Sequence, residues 1–407
     1  MHAIKLVADW SPRPGYAITP AETKAGKARM ACHVFKNPRL EPVVVPDPSP
    51  GAGEVVVRVR ACGVCGSDTH AIETDAQGYM IFSGPASFPC ILGHEYAGDV
   101  VAVGAGVRNL REGDLVTAEG MLYCGVCEAC RKGMFNQCVR LDMVGFSSHG
   151  AYAEYVQVHE RHCWSLNRLA DKLGSAQAAC EHGALVEPVG CSYNGMFVSA
   201  GGMIPGSHVA VFGCGPIGLG AIALARATGA ATIIAFDVSQ ARLDAALRLG
   251  ADQAYNPITL ARDGGSSPSA LMRELSDGWG SDMVVEAAGA AIQTMPEIEQ
   301  ALAPGGKVVY LGRTGERAPV MLDVLVSGAS KIVGARGHAG GGVYPQIVRM
   351  MEHGVLDLGA LISHRMPLSE AAPGVDRSRS REDSKIMLVA DPDAPSQGAA
   401  PAAWSRV

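Results

Sequence analysis

At 407 residues the chain is too long for one ordinary core, so two domains are the default expectation. Hydrophobic residues make up 48% and charged residues 18%, the balance of a globular protein with ample surface to bury. The net charge of −6 is mild and spread along the chain, giving neither a basic stripe for nucleic acid nor a polybasic arm for a membrane surface.

The first thirty residues lack the uninterrupted apolar core of a signal peptide, so a soluble, cytoplasmic protein is expected. "GEVVVRVRACGVCG" and "EYAGDVVAVGAGV" are valine-rich with turn signals and little helical period, which predicts a β-rich, barrel-like first domain. Between and beside them lie Cys65, His94 and Glu95, and Glu187 follows in "LVEPVG". A thiolate, an imidazole and carboxylates of this kind make a catalytic zinc site when one position stays open. The same residues also suit purely structural positions, and Glu181 or His182 can replace Glu187 as the ligand. The segment "ETDAQGYMIFSGPASF" separates Cys65 from His94. Its Glu73, Asp75 and Tyr79 are polar candidates for binding a substrate, or else they sit in a solvated loop.

"CGVCEACRKGMFNQC" places Cys124, Cys127, Cys130 and Cys138 within fifteen residues. A reducing compartment argues against disulfides, and a redox pair would stand alone. Four thiolates at this spacing suit one tetrahedral zinc with no open position, a structural lobe over residues 119–140.

"HVAVFGCGPIGLGAIALA" is apolar, but Gly213, Gly215, Pro216 and Gly218 break it too early for a membrane helix. It reads instead as strand, glycine turn and helix, with Gly213, Gly215, Pro216, Ile217 and Gly218 as cofactor-binding candidates. The glycines allow the tight turn, the approach of a pyrophosphate and close helix–strand packing. Asp237 ends the next strand, 19 residues past Gly218, where a carboxylate meets ribose hydroxyls and repels a 2′-phosphate. NAD is therefore preferred over NADP, a preference that Arg242 weakens slightly. "SQARLDAALRLG" is helical, "DMVVEAAG" and "KVVYLG" are buried parallel strands, and "DGGSSPS" is a surface loop. This alternation predicts an α/β, doubly wound parallel sheet. "GARGHAGG" offers His338 as a further candidate pocket lining, and "VYPQIVRMMEHGVL" is a helix expected to return to the first domain. The expected domains are 1–190 with 340–390, and 191–339; the Pro/Ala-rich tail 391–407 reads as disordered.

Taken in order over about residues 31 to 390, "CGVCGSDTH", "GHE", the four-cysteine lobe, "EPVG" and "GCGPIG" resemble the zinc-dependent medium-chain dehydrogenase family. The long N-terminal segment and the insertion before "GHE" resemble its polyol and cyclitol branch. The resemblance implies a GroES-like catalytic domain, a Rossmann domain, and two zinc ions per chain, one catalytic and one structural. It implies that Cys65, not Cys62, and His94 are catalytic ligands, and that Glu95 can ligate or exchange. Glu187 matches a carboxylate that acts directly or through water. Ser67 and His70 match a proton relay, Asp68 a scaffold residue, and the four cysteines the lobe zinc. Implied too are a homo-oligomer, dimer or tetramer, and a small-molecule substrate: a secondary alcohol of a cyclitol of inosose or aminocyclitol type, oxidised to the ketone. An open-chain polyol of sorbitol or L-iditol type, glucose and threonine are the alternatives within the family. A non-catalytic dinucleotide-binding protein is the remote alternative, and it would be expected to have lost the ligand and relay residues present here. Glu181 and His182 depart from the pattern, standing where small apolar residues are expected.

Overall fold

In the computed structural model, which describes residues 1–338 and 340–390, the chain divides into two units. The first comprises 1–187, 364–380 and the chain from 386; the second comprises 188–363 and 381–385. The expected tail, 391–407, lies outside the described residues.

The first unit is built on the valine-rich strand Glu54–Gly63, whose Val55, Val56, Val57, Val59, Ala61 and Cys62 are all buried. Burial on both faces explains why this strand reads as a continuous apolar run rather than an alternation. It pairs antiparallel with Glu95–Val103, Tyr155–His159 and Ile386–Val389, inside a seven-stranded sheet. A second sheet joins His2–Trp10 to Phe35–Val44 and to Cys90–Ile91. The four-cysteine segment leaves the body through a small hairpin, Met121–Leu122 against Asp142–Met143.

The second unit carries a six-stranded, wholly parallel sheet. Its spatial order is Gln253–Tyr255, Thr232–Phe236, His208–Phe212, Ser281–Glu286, Leu302–Tyr310, Lys331–Gly334. Numbered along the chain this is 3-2-1-4-5-6, the doubly wound order, with its switch point between His208–Phe212 and Ser281–Glu286. The apolar run from Val209 resolves into the strand and the helix Pro216–Ala227. No described helix is long and apolar enough to cross a membrane.

Two local expectations change. The helix Val343–Glu352 belongs to the second unit, with Val343, Tyr344, Ile347, Val348 and Met351 buried. Its apolar stripe fixed which face is covered but not by what. The stretch 263–269 is not all loop, because Ser267 caps the helix Pro268–Leu275 by accepting the Ala270 N–H at 3.2 Å.

Candidate active site

Strand Glu54–Gly63 ends where helix Gly66–Ile72 begins, and Cys65 is that helix's N-cap. Asp68, in the first turn, accepts the Cys65 N–H at 3.0 Å, fixing the approach of the thiol to the helix. The neighbouring strand opens with Glu95, which pairs across the ladder with Gly63. A Cβ at Gly63 would stand 2.0 Å from Glu95 Oε2, so the missing side chain is what makes room for this carboxylate. Cys65, His94 and Glu95 thus converge, each offering one donor atom within 4.8 Å of the others.

His94 is 6% exposed and Glu95 fully buried. Burial opposes protonation of His94, yet the charges of Asp68, Cys65 and Glu187 outweigh it and hold the imidazole well above its usual pKa. The groups around the imidazole therefore favour positive charge there. His94 Nδ1 faces Asp68 Oδ1 at 3.6 Å, and Nε2 lies 3.3 Å from Ser67 Oγ. Nδ1 toward a carboxylate is the disposition that leaves the Nε2 of a histidine to a metal. The soft thiolate, imidazole and carboxylate suit Zn²⁺ with a fourth position left over.

Glu187 opens helix Val186–Tyr193; it is 9% exposed and near enough to act on His94 electrostatically, but it stands outside the converging trio. Its alternatives are engaged elsewhere. Glu181 accepts from Arg365 Nη2 at 2.8 Å and from Gln177 Nε2 at 3.2 Å, pinning helix Ala176–Ala184 to strand His364–Pro367. The His182 ring bonds back to the Ala178 carbonyl at 2.9 Å. Ser67 and His70 lie on the same face of helix Gly66–Ile72, three residues apart and both half-buried.

The four lobe cysteines also converge within 4.8 Å. Sulfur separations of 3.5 Å (Cys127–Cys130), 3.9 Å (Cys127–Cys138) and 4.0 Å (Cys124–Cys130) bracket the edge of about 3.8 Å implied by tetrahedral Zn–S bonds near 2.3 Å. The Val126 backbone N–H, then that of Cys127 and the Arg140 side chain, draw the Cys124 thiol down to about 5, favouring the thiolate that a metal needs.

In the second unit Gly213 has φ +88°, and a Cβ there would meet the Ala288 nitrogen at 2.5 Å. At Gly218 a Cβ would stand 1.7 Å from the Gly213 carbonyl, so helix and strand pack at glycine distance. Gly215 caps the helix, Pro216 takes its first position, and Ile217 O accepts from Ser192 Oγ at 2.5 Å. Asp237 accepts the Cys214 N–H at 2.6 Å and the Ser239 N–H at 2.8 Å. Arg242 Nη2 reaches the Asp383 carbonyl at 3.3 Å, while its buried Nε has no hydrogen-bond partner among the described residues.

The candidates for substrate binding fare differently. Tyr79 is 4% exposed, with the Arg13 guanidinium 3.9 Å and Lys36 Nζ 4.7 Å from its ring centroid. Asp75 pairs with Arg13 and accepts the Gln77 and Tyr79 N–H groups. These two residues hold the inserted segment onto the N-terminal segment. Glu73 caps helix Gly66–Ile72 and faces Arg379 at 3.9 Å. His338 is 1% exposed and packs against Tyr344. Sequence reasoning missed Tyr152, whose buried hydroxyl donates to Asp68 at 2.7 Å; nothing in the local pattern "HGAYAEY" points to it.

The model of the alcohol dehydrogenase GroES-like domain matches residues 51–168, and that of the zinc-binding dehydrogenase matches 216–353. The chain is 34% identical to scyllo-inosose 3-dehydrogenase of Thermotoga maritima over 96% of its own length and 99% of the relative's. It is 32% identical to L-threonine 3-dehydrogenase of Saccharopolyspora erythraea over 86% of the chain and 96% of that protein. A solved Thermotoga maritima structure, provisionally described as an alcohol dehydrogenase, superposes with a TM-score of 0.90 at 32% identity, covering 95% of this chain and 99% of that one. With both domains matched and the donor clusters in place, the chain belongs to the zinc-binding alcohol dehydrogenase family, a GroES-like domain joined to a Rossmann-type domain.

Proposed function

We propose that this enzyme oxidises a secondary alcohol of a cyclitol, of inosose or aminocyclitol type, to the ketone, with NAD as hydride acceptor. The observation that supports the reading is the convergence of Cys65, His94 and Glu95, a thiol, a buried imidazole and a carboxylate whose donor atoms lie within 4.8 Å of one another. Cys65, His94 and Glu95 would hold the catalytic zinc, with Glu187 in reserve close by; Cys124, Cys127, Cys130 and Cys138 would hold the structural one. When bound, the zinc supplies Lewis acidity toward the substrate hydroxyl and NAD accepts the hydride. Ser67 receives the hydroxyl proton and His70 passes it toward solvent. The burial of His94 and Glu95 keeps water from competing for the charge that develops.

The cyclitol assignment rests on likeness to scyllo-inosose 3-dehydrogenase along nearly the whole of both chains. The similarity to L-threonine 3-dehydrogenases supports threonine as the second reading. NAD over NADP rests on Asp237, whose carboxylate opposes a 2′-phosphate. A homo-oligomer is supported by strand Lys331–Gly334, which ends the parallel sheet, and by Met321, Leu322 and Val326, exposed at 63%, 68% and 79%. An open sheet edge and exposed apolar side chains are surfaces that a second copy can cover. The test is NADH formation from NAD with myo-inositol, scyllo-inosose, 2-deoxy-scyllo-inosamine, sorbitol, glucose and threonine, with and without a zinc chelator. Chelator-sensitive turnover of one cyclitol is expected; turnover of threonine alone would replace the cyclitol reading.

A further inference from the structure

Behind His94 lies a buried polar chain that a metal-binding role for His94 does not by itself require. Asp68 is fully buried, and an ionised carboxylate at such depth is costly unless donors surround it. Two donors hold its Oδ2: the Cys65 N–H at 3.0 Å and the Tyr152 hydroxyl at 2.7 Å. Its Oδ1 is left to face His94 Nδ1 at 3.6 Å, and neither of these two atoms has a hydrogen-bond partner among the described residues. Burial first, and then the Asp68 charge, push the Tyr152 pKa well above its usual value, so the hydroxyl stays protonated and donates.

Tyr152 also grips the chain that carries His94. Its N–H donates to the Leu92 carbonyl at 2.8 Å, and the Ala151 N–H donates to the Gly93 carbonyl at 2.9 Å. The Tyr152 ring lies so close to Gly93 that a Cβ there would stand 2.4 Å from Cδ1. One residue therefore fixes the backbone just before His94 and, through Asp68, the direction its Nδ1 must face.

We propose that Tyr152 is a positioning residue for the metal-binding His94, its hydroxyl locking the Asp68 carboxylate so that the imidazole is held for zinc. This rests on the metal reading of Cys65, His94 and Glu95. Without the hydroxyl, only the Cys65 N–H anchors Asp68, and the carboxylate can turn away from His94. Outer partners of metal-binding histidines are worth about 10–100-fold in metal affinity.

The test is zinc release from the holoenzyme into a chromogenic chelator, comparing wild type with Tyr152→Phe and Asp68→Asn. Phenylalanine keeps the ring against Gly93 and removes only the hydroxyl. Wild type is expected to release two zinc ions per chain in two phases. Tyr152→Phe should speed one phase about 10-fold and leave the lobe phase unchanged, which also reports an intact fold. Asp68→Asn should speed the same phase further. In Tyr152→Phe, kcat should fall while KM for NAD stays at the wild-type value. A Tyr152→Phe protein that releases both ions at the wild-type rates overturns this inference alone. A wild-type chain that holds only the lobe ion overturns the metal reading and this inference with it.

Discussion

The Asp237 carboxylate accepts the Cys214 N–H at 2.6 Å, tying the end of one strand to the glycine turn at the end of its neighbour. The residue that would face the cofactor ribose is thus also a brace for the turn that would receive the pyrophosphate. Asp237→Asn removes the charge and one of the two acceptor bonds. The expected result is a loss of about 10–100-fold in kcat/KM with NAD, about 1.4–2.8 kcal/mol, with a smaller loss for NADP. Steady-state kinetics with both cofactors check this.

Gly63 tests the catalytic site without touching a donor atom. Gly63→Ala puts a methyl group where Glu95 Oε2 now lies, so the carboxylate must leave the trio. The expected protein is folded, keeps its lobe zinc, and falls in kcat by at least about 100-fold. Metal content by elemental analysis and turnover of the accepted substrate give the two readings.

The lobe cysteines should behave in the opposite way. Cys127→Ser removes one sulfur from a closed four-sulfur set. One zinc per chain is expected to go, with a loss of thermal stability and a smaller effect on kcat than Cys65→Ser causes. Melting curves and zinc content on both variants separate the two sites.

Glu22 supplies a pH dependence. Burial alone would raise its pKa, but the N–H groups of Arg29 and Thr19, the Thr19 hydroxyl and the Arg29 charge lower it to about 2. A carboxyl depressed on folding stabilises the native state above its unfolded value near 4.5, and that stabilisation is lost as pH falls toward about 2. Glu22→Gln should therefore destabilise the protein at pH 7 by an amount on the order of 3 kcal/mol. The gap from wild type should narrow steadily below about pH 4.5. Denaturant melts at pH 7, 5 and 3 check the sign.

The exposed apolar edge of the parallel sheet carries the oligomer expectation. Val326→Glu places a charge on the most exposed apolar residue of helix Leu322–Gly328. Light scattering should give a smaller assembly than wild type, with the second unit's sheet intact by circular dichroism.

Much of this protein was legible in its sequence, for reasons that differ by region. The glycine turn and the lobe cysteines were readable because their chemistry demands fixed residues at fixed short spacing: no side chain fits at Gly213 or Gly218, and four sulfurs must reach one point. Cys65, His94 and Glu95 were candidates by residue type, but their assignment as ligands came from resemblance, since their meeting depends on strand register, which brings Glu95 opposite Gly63. The roles of Asp75 and Tyr79 were not legible, because Arg13 and Lys36 reach them from distant chain segments. Tyr152 was hidden for the same reason, lying 84 positions along the chain from Asp68. Helix Val343–Glu352 showed its buried face but not its neighbour, since periodicity describes one partner only.

The central claim is that Cys65, His94 and Glu95 hold a zinc on which hydride transfer depends. The most direct measurement is NADH formation from NAD on the cyclitol panel, by wild type and by Cys65→Ser, each with its zinc content determined. The account predicts two zinc ions and turnover of a cyclitol in wild type, against one zinc and a loss of at least about 1,000-fold in Cys65→Ser. Undiminished turnover in a Cys65→Ser protein that retains only the lobe zinc would contradict it.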